Sequence, residues 1–143
     1  MEPLIRTEDK QEFSCFIPYQ RSGTSCMFYL QKRGENAKRL PGMIGLFGGR
    51  FEDGEDAQKA LLREIQEELT YVPIQPVYFT RYEIKTGILH VFIEEVDDRF
   101  ESMVQVEEGE YGKFFSLPEI EEHPKTTLFV KMTTRQIHDS LFE

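Results

Sequence analysis

The stretch Gly45–Thr70, GLFGGRFEDGEDAQKALLREIQEELT, decides the fold. It runs from a glycine-punctuated approach through an acidic turn into the strongest helical pattern of the chain. Asp56 stands where an N-cap belongs. Leu61, Leu62, Ile65 and Leu69 recur on one face, so the pattern predicts a helix over Asp56–Leu69, stopped soon afterwards by Pro73. Glu64, Glu67 and Glu68 lie at i, i+3 and i+4 and share a face beside that apolar stripe. On their own they read as a solvated acidic face, whose members repel by a few tenths of a kcal/mol per pair. The preceding loop changes the weighing. Gly48-Gly49 lets backbone approach a ligand closely, Glu55 sits just before the helix, and Arg63 precedes the first glutamate. Hard cations such as Mg²⁺ reach proteins through a few carboxylates plus substrate phosphates, and diphosphate hydrolysis needs such a cation together with a carboxylate that positions or deprotonates water.

Outward from this segment the pattern alternates strands with helices. Glu12–Tyr19 and Ser25–Gln31 read as strands joined by the turn Arg21-Ser22-Gly23-Thr24, and Lys32–Lys38 reads as a polar loop. Leu40–Gly49 reads as one short buried strand. Pro76–Ile84 and Gly87–Val96 form a second strand pair, linked near Lys85-Thr86-Gly87, and Tyr111–Phe115 another strand. Ser116–Glu122 reads as a short helix capped by Ser116 with Pro118 in its first turn, and Thr126–Phe142 as a terminal helix. There are no repeats or low-complexity tracts. The expected class is α/β (α+β), one domain over residues 1–143, with a mixed sheet and helices packed on it.

Composition bounds the function. The 143 residues suffice for one core, and 39% hydrophobic content suits a folded chain. The formal net charge of −9 argues against a broad basic surface for a nucleic-acid duplex, but not against a phosphorylated small molecule bridged by metal. No apolar run approaches the roughly 18 residues of a membrane span. Met1–Gln11 alternates charge without an apolar signal core, so a cytoplasmic location is expected. Cys15 and Cys26 read as two reduced core thiols. His90 alternates within a strand pattern and reads as structural, His123 and His138 have no ligand-like spacing, Asp97, Asp98, Glu121 and Glu122 read as solvated surface, and Tyr19, Phe28, Phe79 and Tyr82 as core.

Gly49, five residues, Glu55, seven residues, then Arg63-Glu64-Ile65-Gln66-Glu67-Glu68 resembles the Nudix box, G-x5-E-x7-R-E-U-x-E-E-x-G-U with U a bulky aliphatic. With each fixed residue used at about 7%, a chance match is on the order of one in 10⁵. One departure is Thr70 where the box has glycine. A β-branched residue resists the left-handed conformation, so the helix is expected to exit differently.

The resemblance implies the Nudix fold, a mixed β-sheet sandwiched between helices. It also implies a Mg²⁺-dependent hydrolase (Mn²⁺ as substitute) acting on a nucleoside diphosphate linked to another moiety. By that resemblance the Gly48 carbonyl, Glu64, Glu67 and Glu68 hold metal, Glu55 completes the shell, and Arg63 orients the glutamates. Gly49 and Arg33 contact substrate, Arg33 as the matching phosphate-binding arginine of the MutT-type branch. A strand ending in solvated cations is the competing reading of Arg33. Glu108, directly before Gly109, matches a further metal glutamate outside the box, with Glu107 and Glu110 as competitors for that role. The general base stays open between Glu64 and a loop glutamate. No asparagine stands near Lys125 or Thr126 to read guanine, and Lys85 and Thr86 occupy places where other branches show proline or tyrosine, so the nucleotide is unassigned. The expected partner is a small nucleotide, with no duplex and no membrane, and a homodimer is left open. The alternative function is a non-catalytic Nudix-fold binding module, whose mark would be a missing metal carboxylate; none is missing.

Overall fold

The computed structural model describes residues 10–85 and 87–142. Most of the N-terminal stretch read for targeting, and Thr86, lie outside the described residues.

Among the described residues seven strands form one mixed sheet: β1 (Gln11–Ser22), β2 (Ser25–Lys32), β3 (Ile44–Gly45), β4 (Phe47–Arg50), β5 (Val77–Ile84), β6 (Gly87–Glu95) and β7 (Tyr111–Ser116). The main path runs β3-β2-β1-β6-β5, with β4 on β1 and β7 on β2. β1 is the central strand. Its second half pairs antiparallel with β2 (Tyr19↔Phe28), its first half antiparallel with β4 (Phe13↔Arg50), and its whole other edge parallel with β6 (Gln11↔Gly87 to Tyr19↔Glu95). Buried on both faces, it reads as the apolar run Phe16-Ile17.

Those two neighbours point to opposite layers. Phe16 joins Tyr29, Phe47, Phe92, Phe100 and Phe114 beneath α1 (Ala57–Leu69), while Ile17 joins Phe28, Leu30, Val91 and Phe115 beneath α3 (Leu117–Glu122) and α4 (Leu128–Phe142). The sheet therefore lies between helices, as expected. α1 supplies Leu61, Ile65 and Leu69, all fully buried, and burying one such side chain contributes ~1.5–3 kcal/mol. Its N-terminus is capped as the sequence indicates, with Asp56 Oδ1 accepting from Lys59 N at 2.8 Å. α3 starts on a reciprocal capping box between Ser116 and Glu119.

The single strand expected over Leu40–Gly49 is instead β3 and β4, which pair with β2 and β1 respectively. A further one-turn helix, α2 (Phe100–Met103), is absent from the pattern and is anchored by buried Phe100. No helix among the described residues is long and apolar enough to cross a membrane.

The exit of α1 corrects the sequence reading. Thr70 does adopt the left-handed conformation, at φ 50 and ψ 45. The strain persists because residues 105–107 cross the helix end and fix it. Gln105 N donates to Leu69 O at 2.8 Å, Glu107 N to Glu68 O at 2.7 Å, and Thr70 Oγ1 to the Glu107 carboxylate at 3.3 Å. The same crossing brings the loop containing Glu108 against α1.

Candidate active site

The site is built where β4 turns into the loop before α1. Gly48 has φ +138, and a Cβ there would collide with the Ser14 carbonyl and lie 2.9 Å from Cys15 Cα. Only glycine lets β4 lie this close to β1. At Gly49 the crowding group is a side chain: a Cβ would come within 2.5 Å of the Glu64 carboxylate. Gly49 thus makes room for Glu64.

Arg63 organises the carboxylates around it. Its Nε donates to Glu55 Oε2 at 2.7 Å and Nη2 to Glu55 Oε1 at 2.9 Å, a two-pronged pair. Nη1 donates to Glu64 Oε1 at 2.9 Å and reaches Glu67 at 3.4 Å, while Nη2 also holds the Arg50 carbonyl at 2.9 Å. The guanidinium beside Glu55, with the Glu52 N–H, holds that carboxyl down at about 2. Arg63 therefore acts on glutamates and backbone rather than facing the cleft.

The three helix glutamates part company. Glu68 is only 4% exposed, and its Oε2 accepts the Gly48 N–H at 2.6 Å. Burial pushes its carboxyl up to about 9, opposed by the Gly48 hydrogen bond and reinforced by Glu108 and Glu64. Glu64 is half-buried and also shifted upward, chiefly by burial and against the pull of Arg63. Glu67 lies on the exposed side.

Of the loop glutamates only Glu108 joins the cleft. Glu107 turns to Thr70, and Glu110 lies 3.7 Å from Lys32 Nζ. Gln31 Nε2 fixes the loop by donating to Glu108 O at 3.0 Å. Glu64, Glu68 and Glu108 thus share one end of a cleft of about 950 Å³, together with Gly48, Gly49 and Arg33. Glu55 and Glu67 are brought to Arg63 instead.

The donor set fits a hard divalent cation. It is all oxygen, and two of its carboxyls are pushed toward the protonated state, the form that excess buried negative charge takes without a counter-cation. Among the described residues no three or more His, Cys, Asp or Glu side chains are grouped so as to hold a metal ion by themselves. Mg²⁺ usually relies on one or two carboxylates plus waters and substrate phosphates, so an open set is what it uses.

Beyond the carboxylates the cleft floor carries Phe13, Cys15, Ile84 and Leu89, with Phe129 and Thr127 of the α4 end opposite. The sequence alone places Cys15 as a core thiol. It is free and half-buried, it lines the cleft, and burial pushes it up to about 12, so it stays a neutral thiol. Its alternation with Phe13 and Ile17 was the available signal. His90 is held structurally, hydrogen-bonded to the Tyr78 hydroxyl through Nδ1 at 2.6 Å and to the Glu12 carboxylate through Nε2 at 2.9 Å. Asp97 and Glu121 are exposed and pair with Arg99 and Arg135. A smaller cavity of about 230 Å³ near Tyr71 and Glu94 offers no free group on that carboxylate. The Tyr71 hydroxyl and Gln75 N–H already occupy both Glu94 oxygens, at 2.6 and 2.7 Å.

Comparison with known proteins agrees with this architecture. A family model described as the NUDIX domain matches residues 10–135. No curated protein matches the chain by sequence. Among solved structures, the MutT protein from Methanosarcina mazei Go1 is 18% identical, covers 94% of this chain and 99% of its own, and superposes with a TM-score of 0.65. A C. elegans Ap4A hydrolase in a binary complex is 19% identical, with coverages of 92% and 97% and a TM-score of 0.68. The NUDIX domain of Shewanella oneidensis NrtR, complexed with ADP ribose, is 14% identical, with coverages of 89% and 87% and a TM-score of 0.69. At these identities the likeness concerns the fold.

Proposed function

The chain belongs to the Nudix family, and from that premise we propose that it is a pyrophosphohydrolase. Its substrate on this reading is a nucleoside diphosphate linked to a further group, cleaved with Mg²⁺. The observation that carries the proposal is the convergence of Glu64, Glu68 and Glu108 at one end of a cleft large enough for a nucleotide. That the neighbours include a protein named Ap4A hydrolase, and a domain complexed with ADP ribose, supports the ligand class.

In this mechanism Glu64, Glu68 and Glu108 would hold the metal, with the Gly48 carbonyl and Glu67 as candidates to complete the shell. Bound there, Mg²⁺ would neutralise diphosphate oxygens and polarise phosphorus for attack. Arg63 keeps Glu64 in one rotamer through Nη1 and is itself held by Glu55 and the Arg50 carbonyl. Arg33 lines the cleft and contacts a substrate phosphate, while the Gly49 backbone lets the diphosphate lie close. A water oxygen bonds to one phosphorus, the bridging oxygen leaves with the bond electrons, and a carboxylate takes the water proton. Glu64 and Glu108 are the candidates for that last role, since both face the cleft and Glu107 does not.

The test is a screen of nucleoside triphosphates, nucleotide sugars, ADP-ribose and dinucleoside polyphosphates with Mg²⁺, scored by released phosphate, pyrophosphate or nucleoside monophosphate. Turnover of one class that stops on chelation supports the proposal. Tight binding of these compounds with no turnover of any would replace it with a binding module.

A further inference from the structure

Among the described residues Arg63, Arg81, Arg99 and Arg135 each pair with a carboxylate, and the Arg21 guanidinium lies 5.5 Å from the Phe142 ring centroid, away from the cleft. Arg33, Arg39 and Arg50 pair with none among the described residues, although acidic residues outnumber basic ones by 26 to 17, and all three line the cleft. Carboxylates are abundant, so cations left unpaired together in one concavity are available to an anionic ligand.

Their placement is built rather than accidental. Arg50 pairs across the sheet with Phe13 and therefore shares its face, next to Gly48 and Gly49 of β4. Arg39 lies over Phe13, its guanidinium 5.8 Å from the ring centroid. The loop that delivers Arg39 is tied at several points. Arg33 Nε donates to Arg39 O at 2.7 Å, Arg33 N to Met43 O at 2.9 Å, and Gly42 N to Gly34 O at 3.0 Å. Leu40, beside Arg39, is held at φ 48, a conformation a leucine keeps only where its surroundings impose it.

The strand register sets an order along the cleft. Cys15 lies opposite Gly48, at the carboxylate end, and Phe13 lies opposite Arg50, about 7 Å further along β1. Phe13 also pairs with Leu89, where the apolar floor begins. A ligand with its diphosphate at Glu64, Glu68 and Glu108 therefore meets Arg50 and Arg39 next. A neutral sugar would leave those cations without a partner, whereas further phosphates match them in charge and in fork geometry.

We propose that Arg39 and Arg50, with Arg33, form a subsite for phosphates beyond the cleaved diphosphate. The preferred substrate then carries a chain of three or more phosphates. This rests on the hydrolase reading given above.

The test compares a nucleoside triphosphate, a dinucleoside tetraphosphate and a nucleoside diphosphate hexose of the same base. The proteins are the unmodified chain, Arg39→Gln, Arg50→Gln and the remote control Arg81→Gln. The expected result is that the two phosphate-rich substrates are turned over with kcat/KM at least about 10-fold above the hexose. Arg39→Gln and Arg50→Gln should narrow that margin at least about 5-fold, mainly through KM, and Arg81→Gln should leave it unchanged. A margin favouring the triphosphate over the tetraphosphate, or the reverse, identifies which source of the phosphate chain is used. Preference for the hexose, or equal losses on all substrates in the two cleft variants, would overturn the subsite. Calorimetry with inorganic triphosphate and pyrophosphate separates this from failure of the hydrolase reading. If nothing is turned over, inorganic triphosphate binding that weakens at least about 5-fold in both cleft variants still upholds the subsite, and unchanged binding ends it.

Discussion

Gly48→Ala and Gly49→Ala, adjacent and chemically identical changes, should have opposite consequences. At Gly48 the added Cβ meets backbone, the Ser14 carbonyl and Cys15 Cα, at φ +138. A non-glycine residue in such a region carries ~1–3 kcal/mol of strain, and the central strand β1 must also move. A loss above about 3 kcal/mol is expected, or roughly 10 °C in Tm for a domain of this size. Gly49 has an ordinary φ, and its Cβ meets only the Glu64 carboxylate, at 2.5 and 2.6 Å. Restoring an ordinary contact of 3.4 Å moves that carboxylate by roughly 0.9 Å, at little expense because it is the end of a flexible side chain. Alanine also lowers unfolded-state entropy by ~0.4–1 kcal/mol, so Tm should stay within about 2 °C. Turnover, however, should fall about 10²-fold, the usual penalty of a 1 Å misplacement of a reacting group. Paired melts and steady-state kinetics read both effects. A Gly49→Ala protein with normal kcat, or one as unstable as Gly48→Ala, would refute the idea that Gly49 exists to seat Glu64.

Metal binding should tighten with pH. The Glu68 carboxyl is raised from 4.5 to about 9, so across that window the folded protein holds a proton that the unfolded chain has lost. Metal-free stability is then fullest below pH 4.5 and drains as pH rises through 9, while Mg²⁺ must displace the proton; Mg²⁺ affinity that is flat between pH 6 and 9 by calorimetry would contradict this. Thr70→Gly should raise Tm by about 2 °C or less, because relief of ~1–2 kcal/mol of left-handed strain is offset by ~0.4–1 kcal/mol of added unfolded-state entropy and by loss of the 3.3 Å hydrogen bond to Glu107. A lower Tm would mean that the Thr70–Glu107 contact and the added entropy outweigh the strain. Glu108→Gln should weaken activation by Mg²⁺, seen as a rise in the metal concentration for half-maximal rate. Glu107→Gln and Glu110→Gln should do little, since those side chains turn to Thr70 and Lys32; equal effects from all three would indicate general electrostatics.

How far the sequence could be read depended on whether local or distant contacts decide each element. α1 was legible because cap, stripe and stop agree, and its cap is the one found at Asp56. The hairpin β1–β2 was legible from alternation and turn residues, although β1 continues to Ser22. β4 was not legible as a separate strand. Two of its four residues are glycines with poor strand propensity, and only pairing with β1 makes it one. α2 likewise follows from the burial of Phe100 rather than from its own four residues. The left-handed Thr70 escaped because residues 105–107, far along the chain, impose it. In the site, spacing alone grouped Glu64, Glu67 and Glu68 on one face. Glu68 falls on the buried side of the helix with Leu61 and Ile65 while Glu67 does not, and the Gly48 N–H that meets Glu68 there is a contact no helical periodicity encodes. The sequence singled out Arg33 but not Arg39 or Arg50, because their convergence on Phe13 depends on the fold of the 33–43 loop and on the β1–β4 register.

The most direct test of the central claim is the steady-state rate of the best screened substrate with Mg²⁺, for the unmodified protein and for Glu64→Gln and Glu68→Gln, each shown by circular dichroism to be folded. The account predicts a rate that vanishes on chelation, returns with Mg²⁺, and falls at least about 10²-fold in both variants. A rate indifferent to chelation, or either variant turning over substrate at near the unmodified rate, would contradict it.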